Sequence, residues 1–321
     1  MAKDAGILFD FGPPPRRVRC PIIDTHTHVG PIADTRTLVT AAARYGISGI
    51  TGICDSASIR RLESSFPETF VFAVTLDYQQ RSDPPAFAKA NLKLIEDAAA
   101  TGARMVKFWC APPFKVQYGI KLDDALLQPV FRRMGELRLG AIVHVADPDA
   151  WFATVYADAE KYGTKPQNFE QLENTVRRHP DVTFQGAHFA GDPEHLDHVG
   201  RLLDAYPNYF IDTSATKWIS RELSRQPERA REFVIERADR ILFGSDLTVW
   251  AGVSQRHCES RYWVHQMMWE TDYHGPSPIH DPDGGGEVHI RGLHLPPNVL
   301  ERIYYRNAAR LGLCRETPQG G

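Results

Sequence analysis

Ile22-Ile23-Asp24-Thr25-His26-Thr27-His28 opens on two β-branched apolar residues and closes on two histidines. The apolar start reads as a strand. Side chains two residues apart on a strand point to the same face. This places Asp24, His26 and His28 on one face near the end of a first strand. Two imidazoles at that spacing stand roughly 6–7 Å apart at the backbone, close enough to converge on one ion. Imidazole suits zinc and similar divalent metals. A pair of histidines satisfied by hydrogen bonds is the plainer alternative, and the paired spacing favours the ion.

Seven further apolar segments follow, at 48–54, 70–76, 103–109, 141–145, 182–188, 209–214 and 240–246. With 20–29 they make eight strands, most of them continuous apolar runs, as expected of covered parallel strands. Helical spacing fills the gaps at 37–45, 84–100, 123–139, 168–178, 193–205, 221–238 and 301–313. This βαβα order predicts an α/β fold, a TIM-type (β/α)8 barrel. No GxGxxG follows the first strand, which argues against a dinucleotide-binding sheet. Residues 1–19, with Pro13-Pro14-Pro15, read as an N-terminal arm, and 20–321 as one domain. Residues 247–297 read as an insertion after strand 8, a lid or an oligomer contact. This segment holds Trp250, Trp263, Trp269 and six histidines and includes a flexible DPDGGG stretch.

Composition narrows the function. Lys+Arg 37 against Asp+Glu 40 leaves a net charge of −3, so no basic excess exists to neutralise nucleic-acid phosphates. No apolar run reaches the roughly 18 residues of a membrane span. The start of the chain does not read as a signal peptide. Five scattered cysteines without CxxC fit reduced thiols in a cytoplasm.

Other chemistry-bearing residues end the later strands, where barrel enzymes place their active sites. His144 follows Ala141-Ile142-Val143, and His188 follows Gln185-Gly186-Ala187. Asp246 ends Phe243-Gly244-Ser245. A carboxylate there must be paired, capping or metal-bound, because a bare buried charge is very costly. A His/His/His/Asp set with a metal-activated water follows, with Asp246 accepting the proton. Lys107, inside Met105-Val106-Lys107-Phe108-Trp109, could hold a substrate anion, carry a carbamate bridging two metals, or form a buried salt bridge. Asp212-Thr213-Ser214 reads as barrel packing, and Cys54 and Cys110 likewise.

These pieces together resemble the amidohydrolase superfamily. They look most like the amidohydrolase-related family that includes aminocarboxymuconate-semialdehyde decarboxylase. The matching stretches are Ile23-Asp24-Thr25-His26-Thr27-His28, Val143-His144, Gly186-Ala187-His188-Phe189-Ala190-Gly191, Phe243-Gly244-Ser245-Asp246 and Tyr305-Arg306-Asn307-Ala308-Ala309-Arg310-Leu311. The resemblance implies that His26, His28, His144 and Asp246 bind one divalent metal, zinc or manganese. It implies that His188 is an acid/base or polarising group. Lys107 matches a fourth-strand lysine whose role in the family varies.

The expected activity is metal-dependent hydrolysis of a small carboxylate-bearing amide, ester or lactone. Asp246 and His188 would be catalytic, with His188 stabilising the oxyanion, and Lys107 would hold the substrate's anion. Decarboxylation on the same ligands is the alternative. A third reading is a binding protein that keeps its metal for stability. The expected partner is a small molecule, not nucleic acid or membrane, and a homodimer is plausible from the aromatic insertion.

Overall fold

A computed structural model describes residues 10–284 and 288–315. Residues 1–9 of the expected arm, and Gly285 and Gly286 of the DPDGGG stretch, lie outside the described residues.

The main sheet contains β1 (Ile22–His28), β2 (Ile47–Cys54), β3 (Phe70–Thr75), β4 (Ala103–Trp109) and β5 (Gly140–His144). It continues through β6 (Phe184–Gly186), β7 (Tyr209–Asp212), β8 (Ile241–Leu242) and β9 (Leu247–Thr248). Each strand from β1 to β7 pairs in parallel with the next, and β9 pairs in parallel with β1. β8 and β9 are two halves of one segment, interrupted at 243–246. Across that gap Thr25 N donates to Phe243 O and Asp246 N donates to His26 O, both at 2.8 Å. The segment beside β7 thus also meets β1, and the sheet curls on itself in the TIM-type α/β arrangement.

Apolar side chains fill the interior toward the strand starts: Ile23, Met105, Ile142, Phe210 and Leu242. Ala308 and Leu313 join this cluster. They come from the C-terminal helical stretch, Pro297–Glu301 continuing through Arg302–Arg306 and Asn307–Arg310. Asn307 anchors it by donating to Ala238 O and Ile241 O, both at 2.7 Å. The last helix therefore plugs the barrel where the strands begin.

Several boundaries moved for local reasons. Helix Lys165–Arg178 starts earlier than expected because Thr164 and Gln167 form a capping box. The expected helix 221–238 is two helices, Thr216–Arg225 and Pro227–Glu236. Pro227 has no N–H to continue the first and suits the opening turn of the second.

The segment 247–297 differs most from its reading. It contains helix Gln255–Glu270, which packs against Ile32–Arg44 and Thr216–Arg225. Tyr262, Trp263, Val264, Met268 and Trp269 are all buried there. Most of this helix thus occupies the barrel's outer layer, in the place of an eighth helix, and its aromatic residues fill this chain's own core. It escaped the sequence reading because a helix buried nearly all round shows no polar stripe. Among the described residues no helix is long and apolar enough to cross a membrane. All five cysteines are free thiols.

Candidate active site

The histidine-bearing strand is irregular where it matters. Its register against β2 shifts between Asp24 and Thr27. Such an irregularity re-aims the side chains around it. Asp24 therefore does not share a face with the histidines. Its Oδ2 accepts from Ser245 Oγ at 2.6 Å and Tyr262 OH at 3.0 Å, and its Oδ1 from Ser245 N at 3.0 Å. Burial pushes its carboxyl up to about 6 despite the hydroxyl and amide donors. His26 and His28 both point at Asp246, each Nε2 lying 3.4 Å from Asp246 Oδ1.

Asp212 organises what lies beneath. Its Oδ2 accepts from His26 Nδ1 at 2.8 Å and Gln185 Nε2 at 2.7 Å. Its Oδ1 accepts from His188 N at 2.9 Å, Ser214 N at 3.0 Å and the Ser214 hydroxyl. With Nδ1 donating to Asp212, His26 presents its lone pair at Nε2. There it accepts from the Lys107 ammonium at 2.8 Å. Lys107 is buried and belongs to this cluster. The sequence reading had left Asp212 to packing. The signal for it was the same one used for Asp246, a carboxylate ending an apolar strand.

His188 sits on a turn of four successive left-handed residues, with φ of 60°, 54°, 64° and 76° from His188 to Gly191. Such backbone is costly for residues with a Cβ and persists only where surrounding bonds hold it; Asp212 supplies one. Glycine is required at 191, where a Cβ would stand 2.2 Å from Ala146 O. The Ser214 hydroxyl donates to Asp212, so its oxygen accepts from His188 Nδ1 at 2.8 Å. His188 therefore offers a lone pair at Nε2, which lies 4.0 Å from Asp246 Oδ2. Stabilising an oxyanion would need a proton at Nε2, which this bonding does not place there. A neutral imidazole bonded this way takes a proton and has none to give at Nε2.

His144, expected as a fourth metal ligand, lies beside this group. Its Nε2 bonds Asp147 Oδ1 at 2.9 Å, and Asp147 Oδ2 accepts from Tyr156 OH at 2.9 Å. The ring stands edge-on to His188, with centroids 4.5 Å apart. His144 is not in the group of His26, His28 and Asp246, whose ligand atoms lie within 4.8 Å of one another. No sequence spacing could show that Asp147, three residues on, would take the Nε2.

The charges are set by burial first. Burial lowers the proton affinity of His26, and Lys107 beside it adds to this. Burial and then His144 hold His188 well below the usual histidine range. Burial also lowers Lys107, against the pull of Asp246 and Asp212. Burial would raise Asp246, but His188, His28 and His26 hold it well below the usual carboxylate range. Near neutral pH His26 is neutral and Asp246 is charged, the states that metal ligation needs. Two imidazole nitrogens and a carboxylate oxygen, with Asp212 fixing one ring from behind, fit a divalent cation that takes the His26 Nε2 lone pair in place of Lys107.

The amidohydrolase family matches residues 79–311, well over half of the chain. This chain belongs to the amidohydrolase family. The matched span includes His144, His188, Asp212 and Asp246, while His26 and His28 lie before it. No curated protein matches the amidohydrolase chain by sequence. Solved structures share its fold. One is 4-oxalomesaconate hydratase from Rhodopseudomonas palustris, 16% identical with a TM-score of 0.55, covering 90% of this chain and 95% of that one. Another is dihydroorotase from Campylobacter jejuni, 12% identical with a TM-score of 0.54, covering 92% and 84%. A third is 5-carboxyvanillate decarboxylase from Novosphingobium aromaticivorans, complexed with manganese and 4-hydroxy-3-methoxy-5-nitrobenzoic acid. It is 12% identical with a TM-score of 0.51, covering 97% and 99%.

Proposed function

We propose that this amidohydrolase is a metal-dependent hydrolase of a small carboxylate-bearing amide, ester or lactone. The observation that carries the reading is the meeting of His26 Nε2, His28 Nε2 and Asp246 Oδ1 at the strand ends. A divalent metal bound by these three residues supplies Lewis acidity toward a carbonyl and acidifies a water. The protein's own groups do the rest. Asp212 fixes the His26 ring so that its Nε2 faces the site. Asp246 accepts the proton of the attacking water and passes it from Oδ2 toward His188 Nε2. His188 then returns it to the leaving group. Lys107 neutralises charge beside His26 and would attract an anionic group that reaches it. Zinc is the proposed metal and manganese the alternative, which the manganese-bound decarboxylase of the same fold favours.

Decarboxylation is the second reading. It is supported by that decarboxylase and by His188, which could take a proton from water by way of Asp246 and pass it to the carbon that loses carbon dioxide. One experiment addresses both. Metal is measured per chain in protein purified without added metal, beside a His26→Ala/His28→Ala double variant. Small carboxylic esters, amides and lactones are then screened for cleavage products and for carbon dioxide. About one metal per chain, lost with activity in the double variant, is the expected result. Carbon dioxide without hydrolytic cleavage overturns hydrolysis in favour of the lyase. Metal absent from both proteins and not taken up overturns both.

A further inference from the structure

A pocket of about 330 Å³ opens beside Asp246. It is lined by Ser245, Asp246 and Leu247 on one side and by Trp218, Trp250, His257 and Arg261 among the others. Among the described residues Asp246 is its sole acidic lining residue, while Lys217, Arg261, His257 and His280 are basic. The two permanent cations differ sharply. Lys217 is neutralised by Asp283 at 2.5 Å, with Asp281 at 3.8 Å. Arg261 has no carboxylate partner among the described residues. Its Nη1 donates only to His257 O at 3.3 Å and Ser260 Oγ at 2.9 Å. Burial brings its guanidinium down to about 10, and the acids of the site do not offset this. A half-buried guanidinium with no counter-charge among the described residues is costly, and its two-pronged fork suits planar oxyanions.

The surroundings suit a flat ligand. Trp250 is 46% exposed, an uncommon state for a tryptophan, and its ring is braced edge-on by His257 at 4.6 Å. Trp218 lines the pocket with an indole N–H that has no acceptor among the described residues, and its ring also stands 5.6 Å from His188. One wall therefore joins the pocket to the acid–base residue. The volume holds one ring with its substituents.

We propose that Arg261 is the specificity-determining residue of this enzyme. It would take the carboxylate of an aromatic or conjugated acid whose ring lies along Trp250 and whose reacting group faces Asp246. The proposal rests on the reading of Asp246 as part of the reacting centre. It also moves the anion-recognition role from Lys107, which is bonded to His26, to a residue that the sequence reading did not single out.

The test uses tryptophan fluorescence titrations with benzoate and with its neutral isostere benzamide. They are run on the protein as purified and after metal removal. Arg261→Met and Arg261→Lys are compared with wild type, each checked for an unchanged thermal midpoint and metal content. Trp250→Ala, at an exposed position, serves as a variant that cannot fail through core packing. Wild type binds benzoate at least about ten-fold more tightly than benzamide. Arg261→Met removes that preference, Arg261→Lys restores part of it, and Trp250→Ala weakens both probes alike. The preference survives metal removal. Equal binding of the two probes by wild type overturns the proposal, as does an undiminished preference in Arg261→Met. A preference that vanishes with the metal also overturns it, because the metal would then be holding the carboxylate. Should the protein bind no metal and turn nothing over, the catalytic reading fails. The Arg261-dependent preference would still register separately.

Discussion

At the end where the strands begin, Ile23, Met105, Ile142 and Leu242 meet Ala308 and Leu313 of the C-terminal helix. At the end where they finish, His26, His28, His188, Asp212 and Asp246 face one another. The same strands supply both ends. β1 passes from Ile23 to His28 within its length, and the segment holding β8 and β9 passes from Leu242 to Asp246. The apolar end is closed by a helix and gains stability from burial. The polar end buries charged and hydrogen-bonding groups, which stabilise only when each has a partner. Stability and chemistry are thus separated along the barrel axis.

Substitutions at the two ends should separate the same way. The largest effect on stability is expected at the apolar end. Ile142→Ala should cost about 2–5 kcal/mol through lost burial and the cavity it leaves. Urea unfolding would show the lower midpoint, with metal content per folded chain unchanged. A loss of metal without a loss of stability would break the division.

At the polar end, Asp212→Asn should lower metal affinity by about 10–100-fold, because His26 would lose the carboxylate that fixes its ring. Competition with a chelator measures this at matched folded fraction. Unchanged affinity would remove Asp212 from the site.

The smallest effect belongs to neither end. His265 is buried in the outer layer, bonded to Thr216 Oγ at 3.1 Å and receiving Trp269 Nε1 at Nδ1 at 3.2 Å. Burial lowers it from 6.5 to about 3, with Asp212 opposing. Below 6.5 the unfolded chain takes up a proton that the folded chain refuses until about 3, so stability falls as pH falls through that window. His265→Gln should reduce the slope of stability against pH there by up to about one proton, and leave it unchanged above 6.5. Urea midpoints on either side of 6.5 would show it, and an unaltered acid slope would mean that other groups control it.

Much of this was open to a reader of residues alone. Continuous apolar runs placed all eight strands, since parallel strands buried on both faces leave little room for polar residues. Helix Pro84–Ala100 was readable to the residue because Asp83 caps it at Ala86 N. Helix Gln255–Glu270 was not, because burial on nearly every side erases the polar stripe. The histidines and Asp246 were visible as polar residues ending apolar strands. The turning away of Asp24 was not, because a one-residue irregularity leaves no trace in composition.

The sequence by itself determined the α/β barrel and the strand order, and set His26, His28 and Asp246 at strand ends. Each of these follows from periodicity along the chain or from residue type at a strand end. Only the tertiary structure decided the partners. Asp212 stands 186 residues from the His26 it orients, and Tyr262 stands 238 from the Asp24 it bonds. It also showed His144 bonded to Asp147, the eighth helix filling the outer layer, and Arg261 without a carboxylate partner among the described residues. Hydrogen bonds and ion pairs act over about 3 Å, and nothing local in a chain records which distant residue the fold will bring within that distance.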